Sequence, residues 1–536
     1  MWPLAWWLVL HVAAALAAAG PPPKNPHEIE SMPGYNDDTA INFAQFAGHI
    51  RLQSTGQDMF YWLVESTSNP SLDPLVIWLH GSGDPGCSAL NSLFTDVGPF
   101  VVQSDLRIKR NPYAWNRRAN FLFVESIAGV GFSRPMLNAT EYNDEETAAR
   151  MYEFLQEFLA MYPTYHNRQV YLFGQSYGGV LVPYLVEKLV ETPIESFVLA
   201  GFAVGNPFTD NQIDASATLD YFYTHGLISI SMYERGRDAC GVSGASYCFY
   251  GGGECPQECL AVLLEGQASS QAANAQAFNL FDIFGDVCSL KSNLKLEHHA
   301  IRPLTHRGMM GPCVDLFTSK YLQRYTVQRA IHIQDRHVNW EKCNRHVTAK
   351  YTRSRSVLSK YPAVLRAGLK ALIYTGDADA VDNFIGTERW IQNLQLPVRE
   401  KWESWFGPDK QLAGYSTRYT NLTFTTLKGA GQLVGATRPL HALYMFECFI
   451  YGNIVCATFS YPTDDVEYLS GADLTTNPNK SQSGGALIPW AITAVIVVLG
   501  SIVGLVYWTK REERSQYIDW VVETSRSDNR SGIGYT

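Results

Sequence analysis

The most informative segment of this chain is Val170-Tyr-Leu-Phe-Gly-Gln-Ser-Tyr-Gly-Gly-Val180. A short apolar run, Val170 to Phe173, leads into Gly174-Gln175-Ser176-Tyr177-Gly178, and a run compatible with a helix follows. A G-x-S-x-G pattern between a strand and a helix is typical of a nucleophile elbow, whose glycines allow a sharp turn that exposes the serine hydroxyl. Ser176 is therefore a candidate nucleophile, and the alternative is a structural turn with an inert serine.

Other short runs rich in β-forming residues predict further strands at Phe60–Val64, Leu75–Leu79, Phe121–Val124, Ala371–Tyr374 and Phe424–Leu427. The first two are close enough along the chain to predict a hairpin. Glu145–Met161 has apolar residues at helical spacing. Strands that alternate with helices indicate an α/β fold with a central, mostly parallel sheet. The stretch from about 208 to 345 breaks this alternation and predicts an inserted, disulfide-rich cap.

Composition and the N-terminus limit the class of protein. The chain has 536 residues, of which 46% are hydrophobic and 17% charged, so it has the composition of a globular protein. Its net charge is −9 and it has no basic stripe, which argues against a nucleic-acid partner. An N-terminal apolar run ends in small residues at Ala17, Ala18 and Ala19, which predicts a signal peptide over residues 1–19. The alternative is an uncleaved anchor helix.

A second apolar run, Ala486–Trp508, has no charged residue and is long enough to cross a bilayer. Three basic residues follow it at Lys510, Arg511 and Arg514, which favours a cytoplasmic tail over residues 509–536. The alternative is a buried core helix. We therefore predict a single-pass type I membrane protein of the secretory pathway, in an endosomal, lysosomal or plasma membrane. Its ectodomain would span 25–465 and a polar stalk 466–485.

Ten cysteines fit an oxidising compartment, where most of them should pair. Four of the cysteines lie in a Gly-rich stretch, which predicts a loop closed by disulfides: Cys240, Cys248, Cys255 and Cys259. None of the cysteines has metal-site spacing, and we expect no metal and no cofactor. Sequons at Asn138, Asn421 and Asn479 predict possible glycosylation.

Several ordered blocks together resemble the serine carboxypeptidase family, which has the α/β-hydrolase fold. They span almost the whole predicted ectodomain: Met32–Gly34, Phe60–Trp62, Trp78–Ser88, Asn111–Asn116, Glu125–Ser133, Tyr321–Cys343 and Gly376–Trp390. The resemblance implies that Ser176 is the nucleophile and Asp379 the triad acid. It implies an oxyanion hole at Tyr177, Ser82 and Gly83.

The same resemblance implies disulfides Cys87–Cys343 and Cys288–Cys313. It leaves the pairing among Cys240, Cys248, Cys255 and Cys259 open, and Cys448 and Cys456 could close a short loop.

The departures from the family pattern fall on the predicted site. The family's G-A-G-H-M-V-P block, which carries the general base, reads Gly429-Ala-Gly-Gln-Leu-Val-Gly435 here. Gln432 thus occupies the histidine position, and an amide is not a useful base.

Other changes fall where the family holds the substrate carboxylate, a region that the resemblance maps to His80, Gly81, Gln175, Asp96 and Asp382. His80 replaces an Asn, Gln175 a Glu and Asp382 a Cys. Asp84 lies in an enlarged loop, and with Asp382 it would add negative charge that repels a carboxylate.

These features favour a membrane-tethered, catalytically impaired pseudoenzyme that binds peptides or proteins with free C-termini. The alternative is an active serine-type carboxypeptidase with a displaced base such as His80, although a loop-packing role for His80 is the simpler reading. His441 is expected to pack on the next helix. An acyltransferase is a third possibility, but it also needs a base. The sequence leaves the oligomeric state open.

Overall fold

The computed structural model describes residues 25–79, 83–268, 279–288, 311–333, 337–462 and 501–512. Contacts divide the chain into two compact units, Met1–Asp473 and Leu474–Thr536. In the second unit the described residues, 501–512, are helical. None of the helices in the described ranges has both the length and the apolar character needed to span a membrane. The predicted signal peptide and stalk, and residues 486–500 of the predicted membrane span, lie outside the described residues.

The strands of the described part of the first unit have the following bounds: β1 (Gln45–Arg51), β2 (Asp58–Val64), β3 (Leu75–Trp78), β4 (Phe100–Val102), β5 (Ile108–Arg110), β6 (Asn120–Val124), β7 (Gln169–Ser176), β8 (Val198–Pro207), β9 (Lys370–Gly376), β10 (Val398–Phe406), β11 (Leu412–Tyr419) and β12 (Leu422–Leu427). Ten of them form one sheet in the order β1-β2-β6-β3-β7-β8-β9-β12-β11-β10, and β4 pairs with β5.

The centre of the large sheet is parallel from β6 through β3, β7, β8 and β9 to β12. The outer strands on both sides pair antiparallel. The prediction of an α/β fold with a mostly parallel sheet is therefore confirmed. The predicted hairpin is wrong: β2 pairs with β1 and β6, and β6 lies between β2 and β3. The backbone N–H and C=O groups at both edges of a buried strand need partners, and proximity along the chain does not decide which strands supply them.

The helices have these bounds: α1 (Leu90–Thr95), α2 (Asp144–Met161), α3 (Gly178–Glu191), α4 (Asn211–Thr224), α5 (Ile230–Cys240), α6 (Gly244–Tyr250), α7 (Gln257–Ala268), α8 (Val314–Leu322), α9 (Tyr325–Ala330), α10 (Arg345–Lys350), α11 (Tyr361–Arg366), α12 (Phe384–Asn393), α13 (Val434–Thr437), α14 (Pro439–Tyr451) and α15 (Asn453–Ala457).

Helices cover both faces of the sheet. The side chains of β3 show this, because they alternate between two hydrophobic cores. Val76 and Trp78 pack in the core that includes α1 and α14. Leu75 and Ile77 pack in the core that includes α2 and α3. Because successive side chains of a strand point to opposite faces, a continuous apolar run supplies both cores.

Between β8 and β9 the chain forms α4 to α11, of which α4 to α9 lie within the stretch where the sequence predicts a cap. Two disulfides join the cysteines whose pairing the sequence left open, Cys240–Cys259 and Cys248–Cys255. The other disulfides are Cys87–Cys343, Cys288–Cys313 and Cys448–Cys456. The bounds of the cap, 208–345, stay a prediction.

Two of the predicted glycosylation sites lie in the described residues. Asn138 is exposed. Asn421 is half-buried, and its Nδ2 donates to the carbonyl of Leu365 at 2.9 Å. Asn138 is therefore the more accessible acceptor, and Asn479 lies outside the described residues.

Candidate active site

The nucleophile elbow is formed by the end of β7 and the start of α3. Ser176 is the last residue of β7 and has a φ of +51°, in the left-handed region that non-glycine residues rarely adopt. Two glycines permit the close packing of this turn: a Cβ at Gly174 would lie 2.9 Å from Gly178 Cα, and one at Gly179 would lie 2.2 Å from Phe208 O. Such local strain is common at functional sites, and here it presents Ser176 to a cavity of about 700 Å³.

The Ser176 hydroxyl contacts a carboxylate. Ser176 Oγ donates to Asp382 Oδ2 at 2.6 Å. Gln432 Nε2 donates to the same oxygen at 3.0 Å. Asp382 follows β9 and precedes Asn383, whose side chain caps α12 by accepting from Gly386 N. The resemblance places Asp382 in the substrate-carboxylate region, whereas in the structure it is the hydrogen-bond partner of the nucleophile.

The predicted triad acid, Asp379, lies apart from this chain of contacts. Its Oδ2 accepts from Asn206 Nδ2 at 3.0 Å and its Oδ1 from Val381 N at 2.9 Å. The side-chain amide of Gln432, at the position of the histidine, donates its hydrogen bond to Asp382 and not to Asp379. The carboxylate that would orient an imidazole is thus held by an asparagine and by the backbone amides of Val381 and Asp382.

The two neighbouring carboxyl groups perturb each other. Burial raises the pKa of Asp379 well above its usual range, and the charge of Asp382 raises it further. Burial also raises the pKa of Asp382, to about 6, although the hydrogen bonds from Ser176 and Gln432 oppose the rise. Two like charges in one buried site are costly, so Asp379 favours its protonated form while Asp382 carries the negative charge at neutral pH.

Gln175 and Asp96 lie behind the nucleophile instead of lining the cavity. The Gln175 side chain donates to the backbone carbonyl of Gln432. Asp96 Oδ1 accepts from Gly435 N at 2.7 Å, and the Gln175 side chain also bonds to Asp96. Burial raises the pKa of Asp96 to about 7. Both side chains are almost fully buried and neither lines the cavity. Their hydrogen bonds connect the elbow to the loop after β12.

The oxyanion region departs from what stabilisation of an oxyanion requires. The backbone N–H of Tyr177 is at the N-terminus of α3, as the elbow predicts. Gly83, however, lies with its carbonyl oxygen 3.5 Å from Ser176 Oγ. An oxygen acceptor at that position would repel a developing oxyanion, which needs N–H donors. His80, Gly81 and Ser82 lie outside the described residues.

Two arginines line the cavity together with Asp84 and Asp382. The Arg353 guanidinium pairs with Asp84 and lies 5.4 Å from the centre of the Tyr177 ring. Arg355 also lines the cavity, and its guanidinium lies close to Gly252. The charge of Asp84 that the sequence analysis expected to repel a carboxylate is therefore offset by Arg353.

No histidine of the described residues lines the cavity. His441 is buried in α14, where its Nε2 lies 3.1 Å from Asp409 Oδ2. Burial tends to raise the pKa of Asp409, but the hydrogen bond and charge of His441 outweigh it and lower that pKa. His441 therefore packs on α14 against Asp409 and does not line the cavity.

Two residues of this site, Asn206 and Arg353, are not among those that the sequence predicts. Asn206 has a φ of +40° at the end of β8, where its Oδ1 also accepts from Gly376 N at 3.0 Å. A polar residue that ends a buried strand next to the elbow strand was a usable signal. Arg353 lies in a loop between α10 and α11, and no pattern in the sequence around it indicates a place in the site.

Comparisons with known proteins show which family the chain belongs to. The family profile described as serine carboxypeptidase matches residues 33–452. The chain is 33% identical over 434 residues to serine carboxypeptidase-like 26 of Arabidopsis thaliana, covering 79% of this chain and 92% of the relative. It is 31% identical over 451 residues to the lysosomal protective protein of Mus musculus, covering 79% and 93%.

Among solved structures, the prohormone-processing carboxypeptidase Kex1Δp of Saccharomyces cerevisiae aligns with a TM-score of 0.63 and 21% identity, over 76% of this chain and 91% of that chain. The parallel sheet and the strand–turn–helix elbow define an α/β hydrolase. Within that class, the chain belongs to the serine carboxypeptidase family.

Proposed function

We propose that this protein is a membrane-anchored serine carboxypeptidase-like pseudoenzyme that binds peptides with free C-termini and hydrolyses them poorly. The observation that carries the proposal is the position of Gln432. Its side-chain amide lies at the base position and donates a hydrogen bond to Asp382, so it cannot take a proton from Ser176.

The loss of the imidazole weakens peptide hydrolysis at more than one step. Removing a triad member typically reduces the rate by about 10⁴-fold or more. A peptide also needs a proton for its leaving amine and N–H donors for the oxyanion. The carbonyl oxygen of Gly83 lies close to Ser176 Oγ, where it disfavours stabilisation of an oxyanion.

The cavity supports the binding part of the proposal. Aromatic side chains supply apolar surface for a peptide: Tyr177, Phe208, Phe249, Tyr250 and Tyr351. Arg353 and Arg355 supply positive charge that can attract a terminal carboxylate. Aromatic surface combined with a few placed charged groups is a common feature of ligand sites.

The predicted topology and the names of two relatives support a place in the secretory pathway. The relatives include a lysosomal protective protein and a prohormone-processing carboxypeptidase. Together with the predicted segments 1–19 and 486–508, these favour a type I protein with a lumenal or extracellular catalytic domain. Protease added to intact cells that display the protein should remove the ectodomain and spare a tail epitope. A digested tail with a protected ectodomain would reject this orientation.

Binding is tested with the full-length protein in detergent and a fluorescent peptide, free or amidated at its C-terminus. We expect the free peptide to bind at least about tenfold more tightly, and Arg353→Ala to reduce that preference because a carboxylate-binding charge is lost. Lys370→Ala, outside the cavity, is the matched control. Equal affinity for free and amidated peptides would reject recognition of the C-terminus.

A further inference from the structure

We propose that Asp382 replaces histidine as the base for Ser176, so that the site keeps a slow reactivity toward activated esters and phosphonates. This inference goes beyond peptide binding, because it assigns a chemical step to a site whose peptidase activity is impaired. It also assigns the base to a residue other than His80.

The geometry is that of an activated nucleophile. Asp382 Oδ2 lies 2.6 Å from Ser176 Oγ, within the range expected of a nucleophile and its base. Gln432 Nε2 holds the same carboxylate oxygen from the other side at 3.0 Å. The site thus has a nucleophile, Ser176, a base, Asp382, and a group that orients the base, the side-chain amide of Gln432.

Asp382 is buried among groups that tune its basicity. Three other carboxyl groups interact with it, those of Asp379, Asp84 and Asp214, and the opposing cation is Arg353. The Tyr250 phenol also faces it. Burial raises the pKa of Asp382 to about 6, which makes it a stronger base than an exposed aspartate.

The proton balance of the step distinguishes esters from peptides. Ser176 Oγ attacks the acyl carbon, its proton moves to Asp382 Oδ2, and the bond to the leaving group breaks. A nitrophenolate leaves without a proton, and Asp382 then releases its proton to solvent. Water next attacks the acyl-serine, giving one proton to Asp382, which passes it to Ser176 Oγ as the acid product departs. A peptide amine would also have to be protonated as it leaves.

Gln432 acts in this scheme as a positioning residue, since it touches the base and not Ser176. Its hydrogen bond lowers the pKa of Asp382. Gln432→Leu should therefore move the pH midpoint of labelling upward, which a purely structural role would not do.

The test uses the full-length protein in detergent, a fluorophosphonate probe and p-nitrophenyl acetate between about pH 4.5 and 8. We expect labelling of Ser176 that rises with pH around a midpoint of about 6, where Asp382 ionises. Asp382→Asn is close to isosteric and should reduce labelling by about 100-fold or more. Asp377→Asn, a matched change in the same loop whose carboxylate accepts from Gly429 N, should leave labelling unchanged.

Equal labelling of wild type and Asp382→Asn at pH 7.5 would overturn the proposed base. So would an absence of Ser176 labelling in folded wild-type protein at every pH, and that result would leave the peptide-binding proposal intact. If Asp382→Asn folds poorly, the pH midpoint of Ser176 labelling in the wild-type protein tests the proposal independently. Efficient peptide hydrolysis, in contrast, would reject the proposed function whether or not Asp382 is the base.

Discussion

Two substitutions that look independent in the sequence meet at one oxygen atom. Gln432 and Asp382 are far apart along the chain and both depart from the family pattern. In the structure the amide of Gln432 donates to the Asp382 oxygen that also accepts from Ser176. The two changes therefore act as one unit, and reversing Gln432 alone leaves Asp382 in contact with the nucleophile.

Restoring the histidine should accordingly depend on residue 382. We expect Gln432→His to increase phosphonate labelling, but the double variant Gln432→His/Asp382→Cys should exceed it by about 100-fold. Asp382 would otherwise keep its hydrogen bond to Ser176 and compete with the imidazole for the serine proton. The measurement is the labelling rate of both variants and of Asp382→Cys alone. Equal rates for the single histidine variant and the double variant would contradict the coupling.

At the scale of elements, local signals predicted the nucleophile and failed for its partners. The elbow could be predicted because strand, turn and helix are continuous in the sequence around Ser176. The parallel strands could be predicted because burial on both faces gives uninterrupted apolar runs. The Asp382–Gln432 contact depends on the directions of side chains in two loops. The same holds for Gln175 and Asp96, which turn away from the cavity.

The loop after β3 is connected to the rest of the site by a disulfide. Cys87 and Cys343 are bonded across a sequence separation of 256 residues, and a Cβ at Gly83 would lie 3.0 Å from Cys87 Sγ. Closing so long a loop contributes about 4 kcal/mol or more in the chain-entropy account, which depends on the unfolded-state model. The disulfide thus holds the loop that carries Gly83 and Asp84.

Replacing Cys87 and Cys343 by serine should destabilise the fold more than replacing Cys448 and Cys456. The second disulfide spans only 8 residues and should contribute about 2 to 3 kcal/mol. Thermal denaturation of the two double variants compares them directly. A larger loss from the Cys448/Cys456 variant would contradict the expected order.

At the scale of the whole molecule, buried carboxyl groups predict higher stability in acid. Burial raises the pKa of Asp96 and Glu125 to about 7 and that of Asp214 to about 8. Unfolded carboxyl groups titrate near about pH 4, so between about pH 4 and 8 the folded domain binds more protons than the unfolded chain. Stability should therefore fall as pH rises through this window, which suits an acidic endosomal or lysosomal lumen.

Thermal denaturation at pH 5 and pH 7.5 measures this effect. We expect a lower midpoint at pH 7.5, by about 2 °C or more, because about 1 kcal/mol shifts a large domain by that amount. Asp214→Asn should reduce the difference, since it removes one of the carboxyl groups with a raised pKa. A midpoint that is higher at pH 7.5 would show that other titrating groups dominate.

The central claim is that this member of the serine carboxypeptidase family has lost efficient peptide hydrolysis because its base position is Gln432. The most direct measurement is release of C-terminal residues from a free peptide by the full-length protein, followed by mass spectrometry from about pH 4.5 to 8. We predict that wild type releases no more than Ser176→Ala at any pH, while Gln432→His/Asp382→Cys releases measurably more. Efficient release by wild type that is abolished in Ser176→Ala would contradict the account.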